Sequence, residues 1–278
     1  MTSGTTDREP VMAAQRRKIW WGDFTASDFA GIAAGQTIAV LPVAAVEQHG
    51  PHLPLSTDAD IMNGMLATAI PLVPHDLDLR ILPVQAIGKS DEHIHAPGTL
   101  TLPATNLIEA WTELGASVAR AGVRKLVIVT SHGGNEEVMG IVTRNLRIRF
   151  DVMAVRTSWE RFGRPEGLFS AHEVRRGIHG GDVETSLMLH FRPDLVDFGK
   201  ARDFPSSADR AEMEFALLNA QSPHAFAWIA SDLNPHGVVG NAAAATADKG
   251  RLTAQHQARG FVTLLEDVRK AKLSDWLT

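Results

Sequence analysis

Residues 41–61 read LPVAAVEQHGPHLPLSTDADI, and the rest of the chain is interpreted outward from this stretch. The apolar run from Ile38 to Val46 predicts a buried strand. Glu47 and His49 follow at its end, where a loop rich in Gly and Pro begins. Side chains at i and i+2 of a strand point to the same side, so these two can converge on one point.

Asp58 follows this loop at the predicted start of a helix. Its carboxylate is either a further ligand or the N-cap of that helix. Together, Glu47, His49 and Asp58 supply two carboxylates and an imidazole, which are donors that a borderline divalent metal accepts. The stretch therefore predicts half of a metal site.

The composition is that of an ordinary soluble globular protein. The 278 residues are 44% hydrophobic and 21% charged, and the mean hydropathy is -0.06. A net charge of -5 and a pI near 6.2 argue against nucleic acid or a membrane as a partner, because no basic tract or long apolar run is present. The absence of cysteine leaves any metal to His, Asp and Glu and favours a cytoplasmic location. We expect a flexible tail over residues 1–14 and a single domain over residues 15–278.

Apolar periodicity predicts strands and helices that alternate along the first half of the chain. The predicted strands are 37–46, 80–86, 124–130 and 151–157. The predicted helices are 26–34, 58–72, 106–121 (with Asn106 and Glu109 as a capping box), 136–149, 206–220 and 246–274. This alternation predicts an α/β fold, a three-layer sandwich in which helices flank a mainly parallel central sheet.

Ligands of such sheets lie beyond the carboxyl ends of the strands. The strand over 124–130 ends just before His132, which is therefore expected at the same edge as Glu47, unless it is an ordinary loop histidine. A later helix begins at Gly181 or Asp182 and carries a glutamate in its first turn. The irregular stretch over 159–176 is expected to form a long excursion beside the site.

Five segments carry short motifs in a fixed order over about 200 residues. They are Glu47-Gln48-His49-Gly50-Pro51-His52-Leu53-Pro54 with Thr57-Asp58, His93 before Pro97-Gly98-Thr99, His132-Gly133-Gly134-Asn135, His179-Gly180-Gly181 with Glu184-Thr185-Ser186, and Gly237-Val238-Val239-Gly240 with Lys249-Gly250. Together they resemble the signature of the creatininase (creatinine amidohydrolase) family. The resemblance implies a creatininase-like fold and a metal-dependent amidohydrolase that cleaves a C–N bond, such as that of a cyclic amide or formamide, in a small molecule.

The resemblance also implies two divalent metal ions per subunit, of Zn, Mn or Fe. The expected metal ligands are Glu47, His49, Asp58, His132 and Glu184. In creatininase itself, a glutamate two residues after the histidine matched by His132 binds the second metal, whereas this chain has Gly134 there. Glu184 is expected to supply that carboxylate instead; the alternative is an ordinary glutamate in the first turn of a helix.

The catalytic set implied by the resemblance is His179 with Glu184. His179 matches the catalytic histidine of the family, and an imidazole can act as general acid and base because it titrates near neutral pH. A role of His179 in holding the substrate is the competing interpretation. The residues expected to contact the substrate are His52, His93, Gly133 and Gly134, the two glycines because they let the backbone approach closely.

Two other kinds of function stay open at this point. One is a different hydrolase of the same family, a peptidase or a C–C bond hydrolase, and the other is a metal-binding protein without turnover. Four arginines of the excursion offer a site for a carboxylate or phosphate, or lie on the solvated surface: Arg161, Arg164, Arg175 and Arg176. The partners expected are a small-molecule substrate and further copies of the chain, in a homo-oligomer such as the hexamers of the family.

Overall fold

The computed structural model describes residues 17–33, 35–221 and 223–276. The flexible tail expected over residues 1–14 lies outside these ranges. The single domain expected over residues 15–278 stays a prediction.

Four strands form a parallel sheet in the order β2-β1-β3-β4. They are β1 (Ile38–Val43), β2 (Leu79–Ile81), β3 (Lys125–Thr130) and β4 (Met153–Ser158). The register pairs Val43 with Thr130 and Thr130 with Ser158. Three strands therefore end level with one another, and the residues that follow them meet along one edge of the sheet.

Helices cover both faces of this sheet. One layer contains α1 (Thr57–Ala69), α5 (Asp182–Phe191) and α8 (Ala247–Lys270), and the other contains α2 (Ala104–Arg120) and α3 (Glu136–Phe150). Within β1, Ile38 and Val40 face the first layer, and Ala39 and Leu41 face the second. Every residue of β1 is buried because both faces are covered. The predicted α/β three-layer sandwich is confirmed.

Smaller elements of the second half lie beyond this framework. They are α4 (Ala171–Arg176), α6 (Ala208–Glu214), α7 (Ala230–Leu233) and the antiparallel pair of β5 (Asp203–Phe204) with β6 (Gly240–Asn241). A single bridge joins His179 to Val239, just before β6. This bridge fixes the backbone of a predicted catalytic residue.

Two predicted strands are shorter than expected. β1 ends at Val43 rather than at residue 46, because the chain then leaves β3 and the Ala44 N–H donates to the carbonyl of Gln85. β2 ends at Ile81, close to Pro83, which has no N–H to donate to a sheet. Glu47 and His49 therefore lie on a loop rather than on the strand itself.

Some helix predictions also need correction. Because α2 begins at Ala104, Asn106 and Glu109 lie inside the helix and form no capping box. The helix expected over 206–220 is limited to α6, and residues 26–29 form a single 3₁₀ turn in place of a longer helix. None of the helices in the described ranges combines the length and the apolar character that crossing a membrane requires.

Candidate metal centre

The edge formed by the ends of β1 and β3 brings four expected ligands together in the interior. Glu47 and His49 come from the loop after β1, Asp58 is the second residue of α1, and His132 follows β3. All four side chains are buried. The hydroxyl of Ser131 donates to the carbonyl of Asp58 at 2.8 Å, which fastens the start of α1 to the end of β3.

Asp58 is not the N-cap of α1. The cap position belongs to Ser56, and Asp58 Oδ2 is buried with no hydrogen-bond partner in the described ranges. Of the two interpretations of Asp58, the capping one is therefore wrong. Its carboxylate instead faces histidines on two sides.

The first group of converging atoms contains Glu47, Asp58 and His132. His132 Nδ1 lies 3.2 Å from Glu47 Oε1 and 3.8 Å from Asp58 Oδ2. His132 Nε2 donates to the carbonyl of Lys89 at 2.7 Å. Because a carbonyl oxygen can only accept, Nε2 carries a proton, and in the neutral form that binds a metal ion Nδ1 would direct its lone pair between the two carboxylates.

The second group contains His49, Glu184 and His179. His49 Nδ1 donates to the carbonyl of Glu47 at 3.1 Å, so His49 Nε2 carries the lone pair. That nitrogen lies 3.7 Å from Asp58 Oδ1 and 3.8 Å from Glu184 Oε2. Asp58 therefore presents one oxygen to each group and stands between them.

These atoms fit divalent metal ions. Both carboxylate oxygens of Glu47, Asp58 Oδ2 and His49 Nε2 are buried and have no hydrogen-bond partner in the described ranges. Buried polar atoms without partners are costly, and lone pairs directed at one another are repulsive unless a cation lies between them. Imidazole nitrogens and carboxylate oxygens are the donors preferred by Zn²⁺, Mn²⁺ and Fe²⁺.

The electrostatics of the centre also favour a cation. Burial, followed by the nearby His179, lowers the pKa of His49 well below its usual range, so this ring is neutral. Burial, followed by the carboxylate of Glu47, raises the pKa of Asp58 well above its usual range. Burial lowers the pKa of His132, but Glu47 and then Asp58 outweigh it and raise that pKa to about 10. Without a metal ion, His132 Nδ1 therefore carries a proton between Glu47 and Asp58, and a divalent ion would take the place of that proton.

His179 is fixed in one tautomer. Its Nε2 donates to the carbonyl of Gln48 at 2.6 Å, and its Nδ1 faces the centre, 3.6 Å from Glu47 Oε1. The ring stacks between those of His49 and His93, with centroids 4.1 Å away on each side. His179 Nδ1 thus carries the lone pair of the neutral ring and points towards the ligand groups.

His93 contacts the centre through Glu47. The amide nitrogen of Gln48 lies 3.2 Å from His93 Nδ1, while the oxygen of the same amide accepts from the N–H of Gly50. This assigns an acceptor to His93 Nδ1 and a proton to Nε2, which lies 3.5 Å from Glu47 Oε1. Burial, followed by His179, lowers the pKa of His93 to about 3, so the ring is neutral. His93 thus directs its Nε2–H towards the carboxylate of Glu47. The expected contact of His93 with substrate stays a prediction.

His52 lies away from the ligand groups. Its Nε2 is 3.0 Å from both the carbonyl of Gly180 and the hydroxyl of Thr185, and its ring stacks on Phe204. These contacts hold the turn between His179 and α5. The position gives no support to the expected substrate contact.

The two glycines after His132 differ in their surroundings. Gly133 lines a cavity, and a Cβ atom there would meet nothing within 4 Å. At Gly134 a Cβ would lie 2.4 Å from the carbonyl oxygen of Lys89 and 2.6 Å from His132 Nε2. No side chain fits at position 134, because the hydrogen bond between His132 Nε2 and the carbonyl of Lys89 occupies the space.

A cavity of about 220 Å³ opens beside the centre. His132, His179 and Glu184 line it, together with residues of the excursion over 159–176. The structure thus places the excursion in the wall of the cavity. A second cavity of about 240 Å³ lies against Gln48 and His93.

Sequence reasoning missed two carboxylates at the site. Glu173 is buried, and its two oxygens accept from the backbone N–H groups of Asp182 at 2.7 Å and Asn241 at 2.9 Å. Glu173 therefore joins the start of α5 to β6. Glu92 Oε1 lies 3.5 Å from His132 Nε2, on the side of the ring opposite the centre. The signals available were Ser170, three residues before Glu173, and the adjacency of Glu92 to a motif histidine.

Comparisons with known proteins agree on one family. The profile of the Creatininase family, described as creatinine amidohydrolase, matches residues 22–265. The chain is 33% identical over 161 residues to a mycofactocin precursor peptide peptidase of Mycolicibacterium smegmatis, a match that covers 57% of this chain and 60% of that relative. It is 28% identical over 273 residues to a creatinine amidohydrolase of Pseudomonas putida, covering 90% of this chain and 97% of that one.

A solved structure gives the same result. A mutant creatininase described as the Zn-Zn type has a TM-score of 0.71 and 25% identity, and the match covers 90% of this chain and 98% of that chain. Since the family profile also covers most of the sequence, the chain belongs to the creatininase family.

Proposed function

We propose that this protein is a metal-dependent amidohydrolase that cleaves a C–N bond of a small molecule. One observation carries the proposal: His132 and His49, one from each group of converging ligand atoms, face different oxygens of the buried Asp58 carboxylate. A cavity of about 220 Å³ at this point suits a small substrate, or the end of a larger one, better than an extended surface. The relative described as a creatinine amidohydrolase supports the reaction class.

Two divalent ions suit the two groups. Glu47, Asp58 and His132 would hold one. His49 and Glu184 of the second group would hold the other, with Asp58 Oδ1 as a further ligand because it lies 3.7 Å from His49 Nε2. When bound, such ions activate water at neutral pH and polarise a carbonyl oxygen. Zinc is the ion named for the solved relative, and manganese and iron accept the same donors.

The chain itself supplies proton transfer and orientation. His179 lines the cavity, and its Nδ1 can exchange a proton with a reacting group, because its Nε2 is occupied by the carbonyl of Gln48. Protonation of the leaving nitrogen is the step that an amide requires from such a group. The bridge to Val239 and the N–H of Gly180, which donates to Glu184 Oε2 at 2.6 Å, hold the two expected catalytic side chains in place.

Peptide hydrolysis is the second candidate. It is favoured by the peptidase relative, which is 33% identical over 161 residues. A peptide C–N bond makes the same chemical demands as the amide of a small molecule. Parallel assays with cyclic amides, formamides and short peptides distinguish the two candidates.

Metal content of Asp58→Asn provides the first test. The parent is expected to bind about two equivalents of Zn²⁺, and Asp58→Asn is expected to lose most of both, since Asp58 serves both groups. Asp60→Asn is the matched control, because Asp60 lies in the same turn of α1 and pairs with Arg192 at 3.0 Å, away from the centre. A folded parent that binds no metal, or an Asp58→Asn variant that retains two equivalents, would overturn the proposal.

We also propose a homo-oligomer, with a hexamer as the expected form. Met213, Phe215, Leu217 and Leu218 are all exposed within one short segment, which suits an interface between copies. Light scattering coupled to size-exclusion chromatography measures the number of subunits. A monomer at all concentrations contradicts this proposal. The cytoplasmic location is a separate expectation and stays a prediction.

A further inference from the structure

Arg164 is the one lysine or arginine among the described residues that line the cavity beside the metal centre. It lies in the excursion after β4, and its side chain is 13% exposed. His132, His179 and Glu184 line the same cavity. A fixed positive charge therefore shares one small cavity with the expected catalytic groups.

The hydrogen-bonding capacity of Arg164 is only partly used. Its Nη2 donates to Glu160 Oε1 at 2.7 Å, and its Nε is buried without a partner in the described ranges. The side chain of Glu160 is 70% exposed, so this ion pair is weak and easily exchanged. A guanidinium offers five N–H donors, and a buried one without a partner is costly.

The acidic groups of the cavity are already occupied. Glu136 pairs with Arg161, and Glu173 accepts from two backbone N–H groups. Glu184 accepts from the N–H of Gly180 and faces His49. Among the acidic residues that the structure describes in the cavity wall, only Glu160 competes for Arg164, and its side chain is mostly exposed to solvent.

The other arginines of the excursion do not line this cavity. Arg161 pairs with Glu136, and Arg176 lies against Asp209 and Glu212. Arg175 has its nearest carboxylate at 3.9 Å, also on Glu212. Of the four arginines singled out in the sequence, Arg164 is thus the one placed to meet a substrate.

We propose that Arg164 binds a carboxylate of the substrate, at a distance from the bond that is cleaved, so that the enzyme prefers acidic amides to neutral ones. This inference rests on the proposed function, because it assigns specificity within the same site. The substrate carboxylate replaces Glu160 and accepts from the guanidinium. Such charge-assisted hydrogen bonds are stronger than those of neutral pairs and fix the orientation of the ligand.

Binding of matched hydroxamates tests this inference separately from the metal centre. The probes are succinic acid monohydroxamate and its neutral analogue, in which a primary amide replaces the carboxylate, with the malonic and glutaric pairs to vary the length. The hydroxamate group binds metal, and the other end of the molecule differs only in charge. Isothermal titration of the zinc-loaded full-length protein measures both affinities.

The acid of at least one pair is expected to bind about 10- to 100-fold more tightly than its amide, the range for a hydrogen bond to a charged group. Arg164→Gln is expected to weaken the acid far more than the neutral probe and so to remove this preference, whereas Arg164→Lys retains part of it. Arg161→Gln is the control, because it removes the same charge from a neighbouring residue outside the cavity, and the preference is expected to persist.

Each result decides one of the two proposals. If acid and amide bind equally in every pair, or if Arg164→Gln keeps the preference while remaining folded by circular dichroism, the inference about Arg164 is wrong and the metal centre stands. If no hydroxamate binds the zinc-loaded protein, the proposed function fails, and the inference that rests on it fails with it.

Discussion

Gly134→Ala is expected to damage the metal centre without changing any ligand. The added methyl group would lie 2.4 Å from the carbonyl oxygen of Lys89, 2.6 Å from Glu92 Oε1 and 2.6 Å from His132 Nε2. Lys89 O accepts the hydrogen bond that fixes the tautomer of His132. The methyl group therefore pushes apart the donor and the acceptor that hold the ring in place.

The size of the effect follows from two terms. Overpacking of a close contact costs about 1–3 kcal/mol of folding stability. For a chain of this size, a loss of 1 kcal/mol lowers Tm by roughly 2–4 °C. Loss of the outer hydrogen bond of a metal-binding histidine lowers metal affinity by about 10- to 100-fold. Gly134→Ala is therefore expected to lose stability and, in addition, zinc affinity.

The assay combines urea unfolding of the metal-free protein with zinc competition against a chromophoric chelator. Gly133→Ala is the matched control, because a Cβ at Gly133 meets nothing within 4 Å and the backbone needs no unusual conformation there. The control is expected to resemble the parent in both measurements. If Gly134→Ala also resembles the parent in both, the close packing around His132 is not what positions this ligand.

Three further predictions concern the segments that hold α5. Burial raises the pKa of Glu173 above its ordinary 4.5, so the folded state holds a proton on Glu173 at pH values where the unfolded chain has released it. The contribution of Glu173 to the free energy of unfolding therefore falls as the pH rises above about 4.5. The unfolding free energy of the parent minus that of Glu173→Gln should therefore decrease from acidic to neutral pH in urea titrations; a constant difference contradicts this. Gly250→Ala places a Cβ 1.9 Å from the carbonyl oxygen of Ser186 and should cost about 1–3 kcal/mol or more in the same assay, whereas an unchanged midpoint would mean that α5 and α8 move apart freely. Lys249→Met leaves the buried carboxylate of Asp182 without its cation at 2.6 Å and should cost about 3 kcal/mol in the same assay at neutral pH, and an unchanged midpoint would contradict this.

The framework of the fold could be predicted from local sequence patterns. β3 is an uninterrupted β-branched run, and the apolar positions of α2 recur every three or four residues, so both elements were found nearly at their observed bounds. The ends of elements were harder to predict. The N-terminus of α2 is preceded by Pro103, with no side chain capping it, and β1 ends where the chain changes partners from β3 to residue 85. Such changes depend on tertiary contacts that a local pattern does not contain.

The candidate site divides in the same way. Glu47, His49, Asp58 and His132 were expected together because they follow the ends of parallel strands or open the next helix, and the structure brings them together. Glu173 escaped prediction because its partners are backbone N–H groups, which any residue can supply, and because one of them lies 68 residues further along the chain in β6. The partial use of the Arg164 guanidinium likewise depends on the course of the whole excursion.

Gly134 and Glu184 are linked by a physical argument. In creatininase itself the position that matches Gly134 holds a glutamate ligand, but here the carbonyl of Lys89 and the ring of His132 leave no room for a side chain. A carboxylate for the second group must then come from another element, and Glu184 in the first turn of α5 faces His49. α5 is in turn positioned by Glu173 at its N-terminus and by the pair of Asp182 with Lys249. If Glu184 is a ligand, the site therefore also depends on Glu173, Asp182 and Lys249, which position α5.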